Sequence, residues 1–263
     1  MSQLARRLPF GLILVAIYMF LLAPLVVVVA VSFDPTDAFR FPPPGLSLRW
    51  YAAFFSSEPF VHAFFRVSLV VALTVSLLAT LVGGLAAVGL VRFRFRGRTA
   101  AEVAFLGPIV VPEILLGAAL FLFYARLRLQ TTLAALVLSH LLIAMPYVVR
   151  TVTAGLSGIN RSLEEAAMSL GASRLQAFCR VTLPLIRSSV LSGAIFAFII
   201  SFSDINLALF LTGPQTVTLP VHIFSQIAWQ GDPTIAAAST LQIALVAVLL
   251  GVGQRVFRLR VAL

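Results

Sequence analysis

The chain has 263 residues, of which 60% are hydrophobic and only 11% are charged. A soluble domain carries about 25% charged residues to cover its surface, so this composition excludes a soluble protein and indicates an integral membrane protein. All 19 basic residues are arginine, against 9 acidic residues. Because the arginines lie between apolar runs, we expect them to orient the chain in a lipid bilayer rather than to bind nucleic acid.

Six apolar runs are each long enough to cross a bilayer as a helix, which takes about 20 residues. None of them alternates apolar and polar residues as the strands of a membrane barrel do. The sequence therefore predicts an all-α protein with six transmembrane helices. In chain order the predicted spans are Leu8–Phe33, Val67–Val91, Val103–Ala125, Leu129–Val149, Ser188–Leu211 and Thr234–Gln254.

The distribution of arginines predicts the orientation. If both chain ends are cytoplasmic, 14 arginines lie on inner segments and 5 on outer ones, and such an excess is typical of cytoplasmic loops. We therefore expect both termini to be inside. The chain then divides into a first helix with its outer loop (1–66), a transmembrane core (67–257) that contains an inner loop (150–187), and a short inner tail (258–263).

The inner loop between the fourth and fifth spans has about 38 residues, where about 2–8 are typical between packed helices. The run Ser162–Glu165 (Ser-Leu-Glu-Glu) predicts a capping box that starts a helix. This helix continues to Leu170, and Gly171 suits the left-handed residue that ends it. The run Ser173–Gln176 predicts a second capped helix, up to Pro184. Alanines on a short helix suit insertion into a protein groove better than burial in lipid.

Three parts of this loop stand at a fixed spacing. They are Glu165–Ala167 (Glu-Ala-Ala), Gly171 after three further residues, and Val181–Pro184 (Val-Thr-Leu-Pro) after nine more. This pattern closely resembles the EAA motif of ABC importer permeases, the membrane subunits that work with an external solute-binding protein. The match has Val in place of the usual Ile and lies in a predicted cytoplasmic loop before the last two spans.

The resemblance extends beyond the motif. Residues Ile109–Ile114, Glu164–Ala172, and Thr212–Pro214 with Leu219-Pro220 are similar to the spermidine/putrescine-type branch, and more closely to its second permease. The resemblance implies the type I fold of ABC importer permeases, like that of the methionine importer, in the bacterial inner membrane.

The resemblance also implies the partners. They are a homodimeric cytoplasmic ATPase that binds ATP and Mg²⁺, a second and different permease chain, and a periplasmic solute-binding protein. This chain has no lysine, which a Walker A phosphate loop requires, so we expect ATP hydrolysis in a separate subunit. The residues expected to couple this chain to the ATPase are Ser162, Glu164, Glu165, Ala166, Ala167, Leu170, Gly171, Leu183 and Pro184.

Ionisable residues at membrane depth are costly and so invite a functional interpretation. Asp204 lies in the fifth predicted span with Ser203 and Asn206 near it. A carboxylate with two hydrogen-bonding groups favours a cationic or amine-bearing solute in a translocation pathway. The alternative is that Asp204 pairs with a polar group on a neighbouring helix. Glu113, which follows Pro112, either faces the same cavity or braces a kink.

A polyamine such as spermidine or putrescine is the favoured solute, with amine-containing acids and phosphonates as alternatives. The polyamine branch commonly carries two adjacent acids near the outer end of the fifth span, whereas this chain has Ser203-Asp204 there. The alternative function is an ATP-independent transporter or channel that uses Asp204 or Glu113 as a proton relay. We expect no metal site, no cofactor in this chain and no catalytic centre, since no suitable set of residues stands together.

Overall fold

The computed structural model describes residues 2–229 and 231–257, and within these ranges every regular element is a helix. The predicted all-α architecture is confirmed. The predicted tail, 258–263, lies outside the described residues. In chain order the helices are α1 (Ser2–Val31), α2 (Arg49–Ser56), α3 (Glu58–Arg92), α4 (Arg98–Leu106), α5 (Glu113–Arg126), α6 (Leu133–Ser157), α7 (Ser162–Ser169), α8 (Arg174–Ser203), α9 (Ala208–Leu211), α10 (Leu219–Trp229) and α11 (Thr234–Phe257).

Five of these helices are long and apolar enough to cross a membrane, and α4 with α5 adds a sixth crossing if the bent pair counts as one span. The predicted span Val103–Ala125 is not one continuous helix. A short 3-10 turn, Gly107–Ile109, follows α4, and the axis then turns by 103° before α5. The cause is Pro112, which lacks an amide hydrogen and disfavours helical backbone in Val111 before it.

Several helices extend past the predicted spans. Helix α3 begins nine residues before the predicted start at Val67, and α6 ends eight residues after the predicted end at Val149. Charged residues mark where a helix leaves the bilayer, whereas its backbone hydrogen bonds continue into water. Two further helices, α2 and α10, lie in segments predicted as outer loops. With 8 and 11 residues, they are shorter than a spanning run.

The chain forms two compact units, residues 1–61 with 223–245, and residues 62–222 with 246–263. In the first unit, the segment after α1 folds back on α2. Trp50 Nε1 donates to the Asp34 carbonyl oxygen at 2.8 Å, and the Arg49 guanidinium bonds the Pro35 carbonyl oxygen and the Asp37 carboxylate. Burial raises the pKa of the Asp34 carboxyl, but the hydrogen bonds from Thr36, together with a backbone hydrogen bond from Arg40 and the charge of Arg40, hold the pKa below its ordinary value.

The second unit has its apolar core between α3, α6 and α8. These helices approach closely because small residues lie at their contacts. Val148 of α6 is fully buried between two glycines. A Cβ on Gly83 of α3 would lie 3.2 Å from the Val148 Cβ, and a Cβ on Gly193 of α8 would lie 3.2 Å from the Val148 Cα. Van der Waals packing of this kind is what holds helices together in lipid.

We expect Gly193→Ala to lower the stability of the second unit. The added methyl group would lie 2.8 Å from the Thr151 Oγ1 and against the Val148 backbone, and overpacking of this kind costs about 1–3 kcal/mol. Gly84→Ala is the matched control, because a Cβ there meets nothing within 4 Å. Thermal unfolding in detergent measures the difference. Equal melting temperatures for the two variants would contradict the described packing.

Candidate functional site

Helix α7 begins differently from its prediction. Ser162 is the first residue of the helix and not its cap, and its amide donates to the Asn160 Oδ1 at 3.0 Å. The predicted capping box between Ser162 and Glu165 is therefore wrong. The Asn160 side chain forms the turn that precedes the helix, so the serine hydroxyl is not needed for it. The Glu165 carboxylate instead lies 3.8 Å from the Arg161 guanidinium on the exposed surface.

The turn after α7 agrees with the sequence. Gly171 has φ +92°, as predicted, and its amide donates to the Met168 carbonyl oxygen at 2.9 Å. The predicted capping box of the next helix is also present. The backbone amide of Gln176 donates to the Ser173 Oγ at 3.3 Å, and the backbone amide of Ser173 donates to the Gln176 Oε1 at 2.9 Å. The loop thus consists of two helices joined by a left-handed glycine, and the second of them has the predicted capping box.

The second of these helices does not stop at Pro184 as predicted. It continues as α8 into the membrane, so the predicted short helix and the predicted span form one rod of 30 residues. A π-helical turn, Phe178–Thr182, precedes the proline. The wider turn gives room to the proline ring, which clashes with a carbonyl group in a regular α-helix.

The carboxylate of Glu164 holds α7 against the membrane helices. It accepts a hydrogen bond from Arg92 Nη2 at 2.7 Å and another from the Thr182 hydroxyl. The side chains of Arg92 and Glu164 are only 13% and 17% exposed. One carboxylate therefore joins α7 to the end of α3 and to the start of α8. Sequence reasoning did not identify Arg92, whose only signal was its place directly after the second span.

The rest of α7 faces outward, and none of its residues is buried. Leu170 is 90% exposed, and Leu163, Met168 and Leu175 are also exposed. Of the other predicted coupling residues, Ala167 is half-buried; the exposed ones are Ser162, Glu165, Ala166, Gly171, Leu183 and Pro184. The structure thus exposes an apolar surface on and directly after α7, and the ion pair of Glu164 with Arg92 anchors this helix.

A second group of candidate residues lies at the other end of α8. The backbone leaves the helix at Asp204, whose carboxylate accepts hydrogen bonds from the Ala208 amide at 2.9 Å and the Leu207 amide at 3.5 Å. Asp204 therefore caps the short helix α9, and this is why α8 ends at Ser203 and not at Leu211 as predicted. The side chain of Asp204 is 3% exposed.

His140 lies behind this cap. Its Nδ1 is 2.9 Å from the Ser201 Oγ, and its Nε2 is 3.7 Å from the Asp204 Oδ2. His140 is completely buried. His140 of α6, Ser201 of α8 and the carboxylate of Asp204, which directly follows α8, thus form a buried polar cluster.

Glu113 lies where two breaks in the helices meet: the break between α4 and α5, and the break between α8 and α9. Asn206, in the break after α8, donates from Nδ2 to the Glu113 Oε2 at 3.1 Å, and Glu113 is the first residue of α5 after the other break. The two segments pack closely, since a Cβ on Gly117 would lie 3.2 Å from the Leu207 Cα. Asn206 and Ser203 are exposed.

These residues give the junction an acidic and polar surface. Glu113, Asn206 and Ser203 reach its accessible side, and Asp204 lies beneath them. Across 2–229 and 231–257, no group of three or more histidine, cysteine or acidic side chains is placed to hold a metal ion. The arrangement suits hydrogen bonding to a cationic group.

The chain is similar to known transport proteins. Residues 79–262 match the family model described as binding-protein-dependent transport system inner membrane component. The putrescine transport system permease protein PotI of Escherichia coli K12 is 32% identical over 89% of this chain and 86% of its own length. The spermidine/putrescine transport system permease protein PotC of Haemophilus influenzae is 31% identical over 92% of this chain and 93% of its own.

Solved structures share the fold. A bacterial ABC transporter involved in the import of the acidic polysaccharide alginate has a TM-score of 0.68 at 19% identity, over 97% of this chain and 96% of that one. The MetNI methionine ABC transporter, in inward-facing conformations, has a TM-score of 0.59 at 21% identity, over 77% of this chain and 98% of that one. The predicted fold of a methionine-importer-like permease is confirmed.

We expect Arg92→Gln to loosen α7. The change removes a charged hydrogen bond that is worth about 1.5–3 kcal/mol, so amide hydrogen exchange in Ser162–Ser169 should become at least about tenfold faster. Arg161→Gln is the matched control, because its contact with Glu165 is exposed and longer, and such pairs contribute little. Unchanged exchange in Arg92→Gln, or equal effects of the two variants, would contradict the anchoring role of Arg92.

Proposed function

We propose that the junction of the two helix breaks lines the path of a polyamine. The chain belongs to the family of binding-protein-dependent transport system inner membrane components. Membership makes this chain the translocation subunit of an ABC importer in the inner membrane. It favours this function over the ATP-independent carrier that the sequence alone left open. The relatives PotI and PotC, named for putrescine and spermidine transport, support a polyamine as the solute.

The observation that carries the substrate proposal is the contact between Glu113 and Asn206. A protonated amine presents several hydrogen-bond donors and no acceptor. The acceptors proposed for it are the Glu113 carboxylate, the side-chain oxygen of Asn206 and the Ser203 hydroxyl. The last carbonyl groups of α8 have no partners within the helix, and this helix end carries partial negative charge. Unwound helices at such points commonly coordinate cations in transporters.

Asp204 has a supporting role in this proposal. Its carboxylate is occupied by the amides of Leu207 and Ala208, so it fixes the backbone that presents Asn206. Its negative charge also adds to the attraction for a cation close to the accessible surface. A pathway must release its solute as well as bind it, and one half-buried carboxylate with neutral partners binds more weakly than a closed acidic cage.

We expect Glu113→Gln to lower the uptake of putrescine about tenfold or more, because a hydrogen bond to a charged group is worth about 1.5–3 kcal/mol. Glu113→Asp keeps the charge and should retain most of the uptake. Transport of radiolabelled putrescine into cells that express the complete importer measures both variants. Normal uptake by Glu113→Gln, with normal amounts of protein in the membrane, would contradict a role for this carboxylate in the pathway.

We further propose that α7 couples this subunit to the ATPase. Its exposed Leu170 and Met168 suit a groove in a separate cytoplasmic subunit, in which ATP and Mg²⁺ bind. In this arrangement both chain ends are cytoplasmic, a different permease chain forms the other half of the pathway, and a periplasmic protein delivers the solute. The excess of arginine on the segments that flank α7 supports this orientation.

The mechanism follows from the rod α8. A helix of 30 residues is about 45 Å long at 1.5 Å per residue, so it links the turn at Gly171 to the break at Asp204. Closure of the ATPase moves α7, the ion pair of Glu164 transmits the movement to α3, and α8 carries it to the break. The break then exposes the junction to one side of the membrane or the other, as in alternating access. ATP drives this by binding the two states unequally.

We expect Gly171→Ala to reduce ATP-dependent uptake, because a left-handed backbone costs a residue with a Cβ about 1–2 kcal/mol and the strain would turn α7 away from its docking position. A Cβ there meets no neighbouring atom, so the effect arises from the backbone alone. Gly171→Asn should transport better than Gly171→Ala, since asparagine tolerates this conformation.

Gly97→Ala is the matched control. Gly97 has φ +87° and an equally open surrounding, but it lies outside the coupling segment. Uptake and co-purification of the ATPase should fall in Gly171→Ala and remain in Gly97→Ala. Equal uptake by the two alanine variants would contradict the proposed role of Gly171.

A further inference from the structure

A cavity of about 280 Å³ lies where the end of α3 meets α4 and α6. Its lining combines apolar residues, among them Leu90 and Leu106, with four polar ones: Arg98, Glu102, Arg150 and Thr153. The volume far exceeds the roughly 30 Å³ that one water molecule occupies in the liquid. The cavity is thus large enough for a polar group of several heavy atoms.

The polar groups of this cavity lack partners within the protein. Among the described residues, the side chains of Arg98 and Arg150 take part in no ion pair or hydrogen bond, in contrast to Arg92. The Thr153 Oγ1 is buried and likewise has no partner. Glu102 is the acid of the lining, so the cavity carries a formal net charge of +1. Two free guanidinium groups with a free hydroxyl suit a phosphate group.

An apolar groove continues from this cavity. A second cavity of about 330 Å³ shares Glu102 and Leu106 with the first and extends along α4 past Val103 and Gly107 to Val110. Val103 and Val110 are 65% and 84% exposed. A soluble phosphate would not use this groove, whereas an acyl chain would fill it. The polar cavity therefore suits the headgroup of a phospholipid, and the adjoining apolar groove suits one of its acyl chains.

The location agrees with this ligand. Leu90 and Val91 of the lining immediately precede Arg92, which binds Glu164 of α7. The cavity therefore lies at the end of the membrane helices that is nearest the coupling helix, at the level where lipid headgroups begin. Basic pockets between membrane helices on this side of transport proteins bind anionic headgroups.

We infer that the Arg98–Arg150 pocket binds the phosphate group of an anionic phospholipid, with one acyl chain along the groove beside Val103. The leaflet is the cytoplasmic one if the proposed orientation is right, but the binding itself does not depend on it. The lipid joins α4 to α6 through the two arginines. It thereby covers polar side chains that this helix pair leaves exposed.

Native mass spectrometry of the importer, purified in detergent and titrated with phosphatidylglycerol, tests this inference. Arg98→Gln/Arg150→Gln should weaken binding about twenty-fivefold, since each arginine contributes about one fivefold step. Arg94→Gln/Arg96→Gln removes the same charge from two residues of the loop before α4 that do not line the cavity, and it should leave binding nearly unchanged. Glu102→Gln should strengthen binding about fivefold, which a merely destabilised protein would not show.

Three results would overturn the inference. One is equal weakening by the two double variants, which would indicate diffuse attraction. Another is displacement of the lipid by inorganic phosphate at millimolar concentration, which would assign the cavity to a soluble anion. The third is equal binding of phosphatidylcholine, which would remove the role of net charge. Because putrescine uptake is not the readout, failure here and failure of the transport proposal are distinguishable.

Discussion

The continuity of helix α8 is the constraint on which the proposed function depends. Its first turn follows the glycine turn of the coupling loop, and its last turn ends at the break capped by Asp204. A helix is stiff along its axis because every turn is hydrogen bonded to the next, so movement at one end reaches the other with little loss. A break after Pro184, where the sequence predicted the end of the coupling helix, would have absorbed much of that movement.

Local features of the coupling loop could be read from the sequence because they depend on few neighbouring residues. Gly171 and the cap at Ser173 are set by backbone conformation and by bonds across three residues. The predicted cap at Ser162 was wrong because another neighbouring residue, Asn160, competes for the same helix start and accepts the hydrogen bond of the Ser162 amide. The kink of the third span at Pro112 was predicted for a similarly local reason, since a single proline decides the local backbone, but the turn of 103° was not.

The contacts that form the candidate sites could not be predicted in this way. Arg92 and Glu164 are 72 residues apart, and Asn206 and Glu113 are 93 apart. Whether such residues meet depends on the rotation of each helix about its axis and on packing at positions such as Val148, which periodicity in uniformly apolar helices does not reveal. The sequence therefore identified Glu113, Asp204 and Glu164 as unusual, but the structure was needed to give each one its partner.

The departure from the polyamine branch at Ser203-Asp204 has a structural interpretation. Of these two positions, Ser203 is exposed and Asp204 is buried as a cap. The pair therefore presents a hydroxyl and not a carboxylate on the accessible side. Glu113 supplies a carboxylate to the same junction from a different helix, held by Asn206. A cationic solute would thus meet one half-buried acid and one buried acid. The missing carboxylate lowers the charge available to bind the solute but does not by itself change the class of solute.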